Sequence, residues 1–205
     1  MASSHIGAII LAAGASTRMG QPKQLLAVDG KSLLRHVADA VLASPVRPVV
    51  IVLGAQAESI RPKVAGLPVI VVENTDWEEG LAASIRAGVR TLESLSPPPD
   101  ATLLVLCDQP NLTPAAITRL IDHHRNSGKS IVAARYDGHP GPPALFARRH
   151  FPELLALSGH GGAKPLFVRH ADTLAMVDLP ELSVDLDKPS DYRRFIARRS
   201  AKDQR

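Results

Sequence analysis

The 205-residue chain has one cysteine, few aromatic residues and no long apolar run, and each scarcity removes a class of protein. A single thiol, Cys107, excludes an internal disulfide and a cysteine-based zinc site. It ends an apolar stretch, which suits a small buried residue. Aromatic residues make up 3% of the chain, leaving few platforms on which bases could stack, so a nucleic-acid partner is not expected. The basic tail, with Arg193, Arg194, Arg198 and Arg199, reads as a solvated helix face. No run approaches the ~20 apolar residues of a membrane-spanning helix. The N-terminus lacks the pattern of a signal peptide, so a cytoplasmic protein without a membrane partner is expected.

The rest of the composition is that of a globular domain. Hydrophobic residues make up 45% and charged residues 21%, with a net charge of +4 that favours anionic ligands. The length predicts one domain over residues 1–205. Short continuous apolar runs at Ile6–Ile10, Val49–Leu53, Val69–Val72, Thr102–Cys107 and Ile131–Ala134 read as buried strands. Helical spacing separates them. Leu33, Leu34, Val37 and Val41 follow an N-cap candidate at Ser32, a short helix covers 58–64, Leu81, Ile85, Val89 and Leu92 share one face, and Thr113-Pro114 opens a helix ending near Ser127-Gly128. This alternation predicts an α/β three-layer sandwich with a mostly parallel sheet. The later third is less regular: a Gly/Pro-rich stretch over 136–143, a short strand at Leu145-Phe146, helical patterns near 153–157 and 163–170, a strand over 174–177 and a closing helix after Pro189.

The first strand runs into Leu11-Ala12-Ala13-Gly14-Ala15-Ser16-Thr17-Arg18-Met19-Gly20, with Lys23 beyond it. A loop at the carboxyl end of a strand is where open α/β sheets bind ligands. Small residues leave amide N–H groups uncovered, and Arg18 and Lys23 add positive charge, which suits a polyphosphate. A glycine-containing turn alone would fit the same residues. The spacing is not that of a Walker loop, a nucleophile elbow or a Gly-x-Gly-x-x-Gly dinucleotide motif. Asp108 follows a buried strand at the same sheet edge, where its carboxylate could hold Mg²⁺ against phosphate oxygens or simply cap the turn before Pro110. Asp185 and Asp187 alternate ahead of Pro189, where N-capping of the last helix is the plain alternative. The histidines, among them His123, His124, His139, His150, His160 and His170, show no zinc spacing and are expected at the surface.

The run LAAGASTRMG followed by PKQLL resembles the nucleotide-binding loop of the MobA-like nucleotidyltransferases. Its LAAG form is more similar to the molybdenum cofactor cytidylyltransferases than to the guanylyltransferases, which tend to read LAGG. Cys107-Asp108-Gln109-Pro110 resembles the family's Asp-x-Pro motif, and Asp185-Leu186-Asp187-Lys188-Pro189-Ser190-Asp191 its late Asp-x-Asp-Thr-Pro-Glu-Asp run. The resemblance implies a Rossmann-like nucleotidyltransferase fold and a Mg²⁺-dependent transfer of CMP from CTP to the phosphate of a molybdopterin-type cofactor, with a molybdoenzyme as a possible partner. It implies nucleotide binding by Leu11, Ala12, Ala13, Gly14, Ala15, Ser16, Arg18, Lys23, Asn74, Gly80 and Ser84. Lys23, Arg18 and Asp108 would act in catalysis, with Asp108 and Asp187 as metal ligands.

The segment from His139 through Gly141 to Phe146 resembles the acceptor-side Gly-x-Pro loop. Leu157 to Lys164 parallels a Gly-Asp-x-Gly-Ala-Arg run in which His160 stands for Asp and Lys164 for Arg. His139, Gly141, His160 and Lys164 are thus the implied acceptor contacts. Three alternatives stay open: a guanylyl- or sugar-phosphate nucleotidyltransferase, a cofactor-delivery protein without transfer activity, and a dinucleotide-binding oxidoreductase.

Overall fold

The computed structural model describes residues 5–203. In chain order the elements are β1 (Ile6–Ala12), the small hairpin β2 (Ala27–Val28) and β3 (Lys31–Ser32), α1 (Leu33–Leu42), β4 (Val49–Leu53), α2 (Ala57–Ile60), β5 (Ile70–Glu73), α3 (Leu81–Glu93), β6 (Ala101–Leu106), α4 (Pro114–Ser127), β7 (Ile131–Tyr136), β8 (His139–Ala147), α5 (Phe151–Leu155), α6 (Lys164–Arg169), β9 (Leu174–Asp178) and α7 (Pro189–Asp203). The main sheet has seven strands in the order β5-β4-β1-β6-β8-β7-β9. β8 runs antiparallel to both its neighbours and the other pairings are parallel.

Alternation along β1 builds the two faces. Ala8, Ile10 and Ala12 pack with α1, α4 and α7, while Ile9, Leu11 and Ala13 pack with α3, α5 and α6. β1 is buried at every position, as its continuous apolar run requires. α1 shows how the local code works: the Ser32 side chain accepts from the Arg35 N–H at 3.3 Å, and Leu33, Leu34, Val37, Ala38 and Val41 are buried. Each large apolar side chain so buried contributes about 1.5–3 kcal/mol. Thr113 caps α4 in the same way, ahead of Pro114. No helix among the described residues is long and apolar enough to cross a membrane.

Three expectations need correction. β1 extends to Ala12, so Leu11 and Ala12 are strand residues and the loop begins at Ala13. The Gly/Pro-rich stretch read as irregular is a hairpin, with Asp137-Gly138 as the turn between β7 and a nine-residue β8. The prolines are tolerated because β8 pairs with β6 only over Ala144–Ala147, so Pro140 and Pro142 need no ladder donor on that side. The pairing with β7 also shifts register between Ala133 and Ala134. Finally, His150 is not at the surface but buried, and it shares Glu153 with His170.

Candidate active site

Chain order turns back at β1. The chain moves outward from β1 to β4 and β5, then crosses to β6 on the other side. A crevice opens beyond the carboxyl ends of such strands. Leu11 registers with Leu106, and the Cys107 N–H donates to the Leu11 carbonyl at 3.3 Å, so Asp108 emerges beside the loop that begins at Ala13. A cleft of about 420 Å³ lies here, bordered by the 13–17 loop, Lys23, Gln24, Trp77, Gly80, Ser84, Asp108 and His160.

Gln24 shapes the loop. Its side chain is fully buried, and Nε2 donates to the carbonyls of Ala12 (2.8 Å) and Gly14 (2.9 Å) while Oε1 accepts from Ser16 Oγ (3.3 Å). Ser16 sits at φ 57° and its Oγ accepts from the Lys23 N–H at 3.1 Å. The loop is therefore folded back onto the short 3₁₀ turn Lys23–Leu25, which aims Lys23 into the cleft.

Lys23 Nζ pairs with Asp108 Oδ2 and lies 3.1 Å from Asp187 Oδ1. The Lys23 and Asp108 side chains are 17% and 12% exposed and that of Asp187 is 47% exposed, so the cluster has a dry floor and an open rim. Burial works against the Lys23 charge. The Asp108 carboxylate, Cys107, the hydrogen bond to Asp108 and the Asp187 carboxylate outweigh it and hold the ammonium above the usual lysine range. Burial pushes Asp185 up to about 7, with Asp108 and Asp187 adding to the rise and Lys23 opposing it.

Asp187 arrives here through its neighbour. The Leu186 side chain is completely buried, and its N–H donates to the Asp108 carbonyl at 3.2 Å. That anchor sets Asp187 against Lys23. The 184–187 segment is not a strand, and the Lys188 N–H at the start of α7 finds its acceptor in Asp191 Oδ2 at 3.0 Å.

A divalent cation fits this cluster. Asp108 Oδ1 is buried without a hydrogen-bond partner, and the Lys23 ammonium sits where the two carboxylates of Asp108 and Asp187 converge. The donors are all oxygen, which suits a hard ion such as Mg²⁺ or Mn²⁺.

The remaining expected residues divide. Ser84, Gly80 and His160 border the cleft. Gly80 has φ 101°, and a Cβ there would lie 2.5 Å from His160 Nδ1, so only glycine lets the 159–160 loop close over this corner. Asn74 is buried behind the wall, where its Nδ2 donates to Ser84 Oγ at 3.2 Å and its Oδ1 accepts from the Asp76 N–H at 3.1 Å. Arg18 is 73% exposed, reaches Asp187 Oδ2 at 3.5 Å, and faces a neighbouring cleft of about 960 Å³ beside α7. His139, Gly141 and Lys164 do not border the nucleotide-loop cleft. His139 lies near the β7–β8 turn, Lys164 is exposed at the start of α6, and Gly141 packs under Tyr136, whose hydroxyl a Cβ would strike.

Sequence reasoning missed Gln24 and Gln109. Gln24 lies inside the PKQLL run, where a fully buried amide beside a glycine loop is a signal of a backbone clamp. Gln109 is also fully buried, and its Nε2 donates to the Pro142 carbonyl at 2.9 Å, tying β8 to the turn that carries Asp108.

A family model described as the MobA-like NTP transferase domain matches residues 8–174. The chain belongs to this family. Nicotine blue oxidoreductase of Paenarthrobacter nicotinovorans is 33% identical over 186 residues, covering 85% of this chain and 86% of that protein. The molybdenum cofactor guanylyltransferase of Vibrio cholerae is 28% identical, covering 92% and 90%. Among solved structures, Rv0371c of Mycobacterium tuberculosis H37Rv superposes with a TM-score of 0.82 at 30% identity, over 95% of this chain and 99% of that one, and a further structure of the same protein is a complex with manganese. The MobA-like chain also matches bifunctional GlmU proteins, spanning only 26% of the length of the one from Staphylococcus saprophyticus.

Proposed function

We propose that this MobA-like protein transfers CMP from CTP to the phosphate of a molybdopterin-type cofactor and releases pyrophosphate. The observation that carries the transferase chemistry is the convergence of Lys23, Asp108 and Asp187 at the mouth of a small-residue loop. In this reading the 13–16 backbone, which borders the cleft, and Arg18, which faces the neighbouring cleft and reaches Asp187, bind the β- and γ-phosphates. Lys23 offsets charge at the α-phosphorus, where an acceptor phosphate oxygen attacks in line and the bond to pyrophosphate breaks. Asp108 and Asp187 would hold Mg²⁺, which when bound neutralises the triphosphate oxygens as a Lewis acid. No side chain need become covalently attached to the nucleotide.

The preference for CTP rests on Ala13. It borders the cleft, at the position where the guanylyl relatives tend to carry glycine. The test is pyrophosphate release with each triphosphate, Mg²⁺ or Mn²⁺, and the molybdopterin acceptor. CTP is expected to dominate, and Lys23→Met to lower the rate by ~10²-fold or more. Equal turnover with GTP overturns the CTP assignment. Release unaffected by Asp108→Asn overturns the site.

A second reading, oxidoreduction, is favoured by the similarity to nicotine blue oxidoreductase. It lacks the Gly-x-Gly-x-x-Gly signature after β1, although the same α/β edge could seat a dinucleotide. Consumption of NADH or NADPH with a dye-like acceptor, alongside absent pyrophosphate release, would establish this reading over transfer.

A further inference from the structure

At the opposite edge of the sheet, where β7 and β9 begin and β8 ends, three side chains from separate parts of the chain meet. His150 stands just before α5, Glu153 one turn later within it, and His170 follows α6. Their candidate donor atoms all lie within 4.8 Å of one another. Glu153 Oε1 is 2.9 Å from His150 Nδ1, and both Glu153 oxygens are 2.9–3.0 Å from His170 Nε2. The two rings meet edge to face with centroids 4.7 Å apart.

We propose that His150, Glu153 and His170 form a binding site for Zn²⁺ or a similar borderline divalent transition ion, separate from the nucleotide cleft. Ligands around tetrahedral zinc, with bonds of about 2.0–2.2 Å, stand about 3.3–3.5 Å apart. The cluster therefore needs to open by only a few tenths of an ångström between each imidazole and the carboxylate. The other His150 nitrogen, Nε2, lies 2.9 Å from Ser130 Oγ. A proton on Nε2 would be donated to that hydroxyl, leaving the Nδ1 lone pair for the metal, which is the outer-shell arrangement that orients metal-ligating histidines. His150 and Ser130 are both buried, so this ring is fixed before any ion arrives.

The charge favours an ion as well. The Glu153 carboxylate lies between the two imidazoles, within hydrogen-bond reach of a nitrogen of each, and supplies a negative ligand between two neutral ones. Arg169 Nη1 also rests on Glu153 Oε2 at 3.0 Å, and its side chain is 63% exposed, so it can swing into water when the carboxylate turns to a metal. Two nitrogens and one carboxylate oxygen suit zinc better than Mg²⁺, which prefers oxygen donors. A solvent molecule would complete the coordination. With none of the three residues bordering the nucleotide cleft, the ion's role is to staple the start of α5 to the end of α6.

The test uses the full chain, freed of metal by chelation, titrated calorimetrically with zinc chloride in excess Mg²⁺ and followed by thermal unfolding. One zinc per chain is expected, with micromolar or tighter affinity and a rise in the unfolding midpoint. His170→Ala and Glu153→Gln should each weaken binding by about 10-fold or more and abolish the rise. His170 is at the protein's edge, so its removal is compatible with folding, whereas His150 is buried. Asp108→Asn should bind zinc like the parent. Absence of stoichiometric zinc, unchanged affinity in His170→Ala, or loss of affinity in Asp108→Asn each overturns the proposal.

Discussion

Replacing Gln24 by leucine removes the clamp on the nucleotide loop while nearly preserving the volume of its side chain. The amide makes two donations, to Ala12 at 2.8 Å and to Gly14 at 2.9 Å, and accepts one weaker bond from Ser16. Leucine would leave the Ala12 carbonyl buried without that donor, costing about 1–3 kcal/mol. The Gly14 carbonyl is nearer the surface and can turn to water, so its loss costs less, about 0.5–1.5 kcal/mol. The expected destabilisation is about 2–4 kcal/mol, which for a chain of this size lowers the unfolding midpoint by about 4–16 °C.

Loop order should suffer too. The Ser16 hydroxyl, deprived of Gln24, no longer fixes the turn that presents Lys23, so triphosphate affinity should fall by about 10-fold or more. Calorimetric unfolding and calorimetric titration with a non-hydrolysable triphosphate measure the two effects on one sample. A Gln24→Leu protein that melts within a degree of the parent and binds triphosphate equally well would refute the clamp.

Gly80→Ala should cost about 1–3 kcal/mol, because φ 101° is strained for alanine and the new Cβ would lie 2.5 Å from His160 Nδ1 and 2.9 Å from the Gly159 carbonyl. Thermal unfolding with nucleotide titration checks it, and an unaltered protein would show that His160 is not closed over the cleft. Leu186→Ala should cost about 2–5 kcal/mol and also reduce metal-dependent turnover in the protein that remains folded, whereas Leu186→Met should restore most of both. Loss of stability without loss of turnover would show that Asp187 does not depend on this anchor. Burial, reinforced by the Asp108 carboxylate, pushes the Cys107 thiol up to about 12. Only ~10⁻⁴ of it is thiolate at pH 8, so alkylation should be ~10³-fold slower than for a free thiol and climb about tenfold per pH unit through pH 10. A rate that levels off near pH 8.5 would mean that the thiol is exposed.

The parts legible in the sequence are those whose physics is local. β1, β4 and β6 declare themselves because a strand buried on both faces must be apolar throughout, and the Ser32 and Thr113 caps because a free helix end needs an oxygen acceptor beside it. β8 was obscured because proline ordinarily argues against a strand, and the exception depends on which neighbour each residue faces, a property of the sheet and not of the segment. The same limit hid the pair of histidines. His150 and Glu153 have helical spacing, but His170 reaches them only because α5 and α6 pack on the same face of the sheet.

Asp187 shows how a site can be half legible. Its acidity and its place before Pro189 fit a helix cap equally well, and the cap belongs instead to Asp191. What separates the roles is Leu186, a residue with no chemistry of its own. By burying its side chain and donating to the Asp108 carbonyl, it brings Asp187, 164 positions from Lys23, into contact with the same ammonium that Asp108 holds. The two aspartates line the same neighbouring cleft but differ in their charge partners: desolvation and the carboxylates of Asp108 and Asp187 drive Asp185 toward neutrality, while Asp187 pairs with Lys23. The apolar residue between two acids thus decides which carboxylate reaches Lys23, and a motif of charged residues alone cannot carry that information.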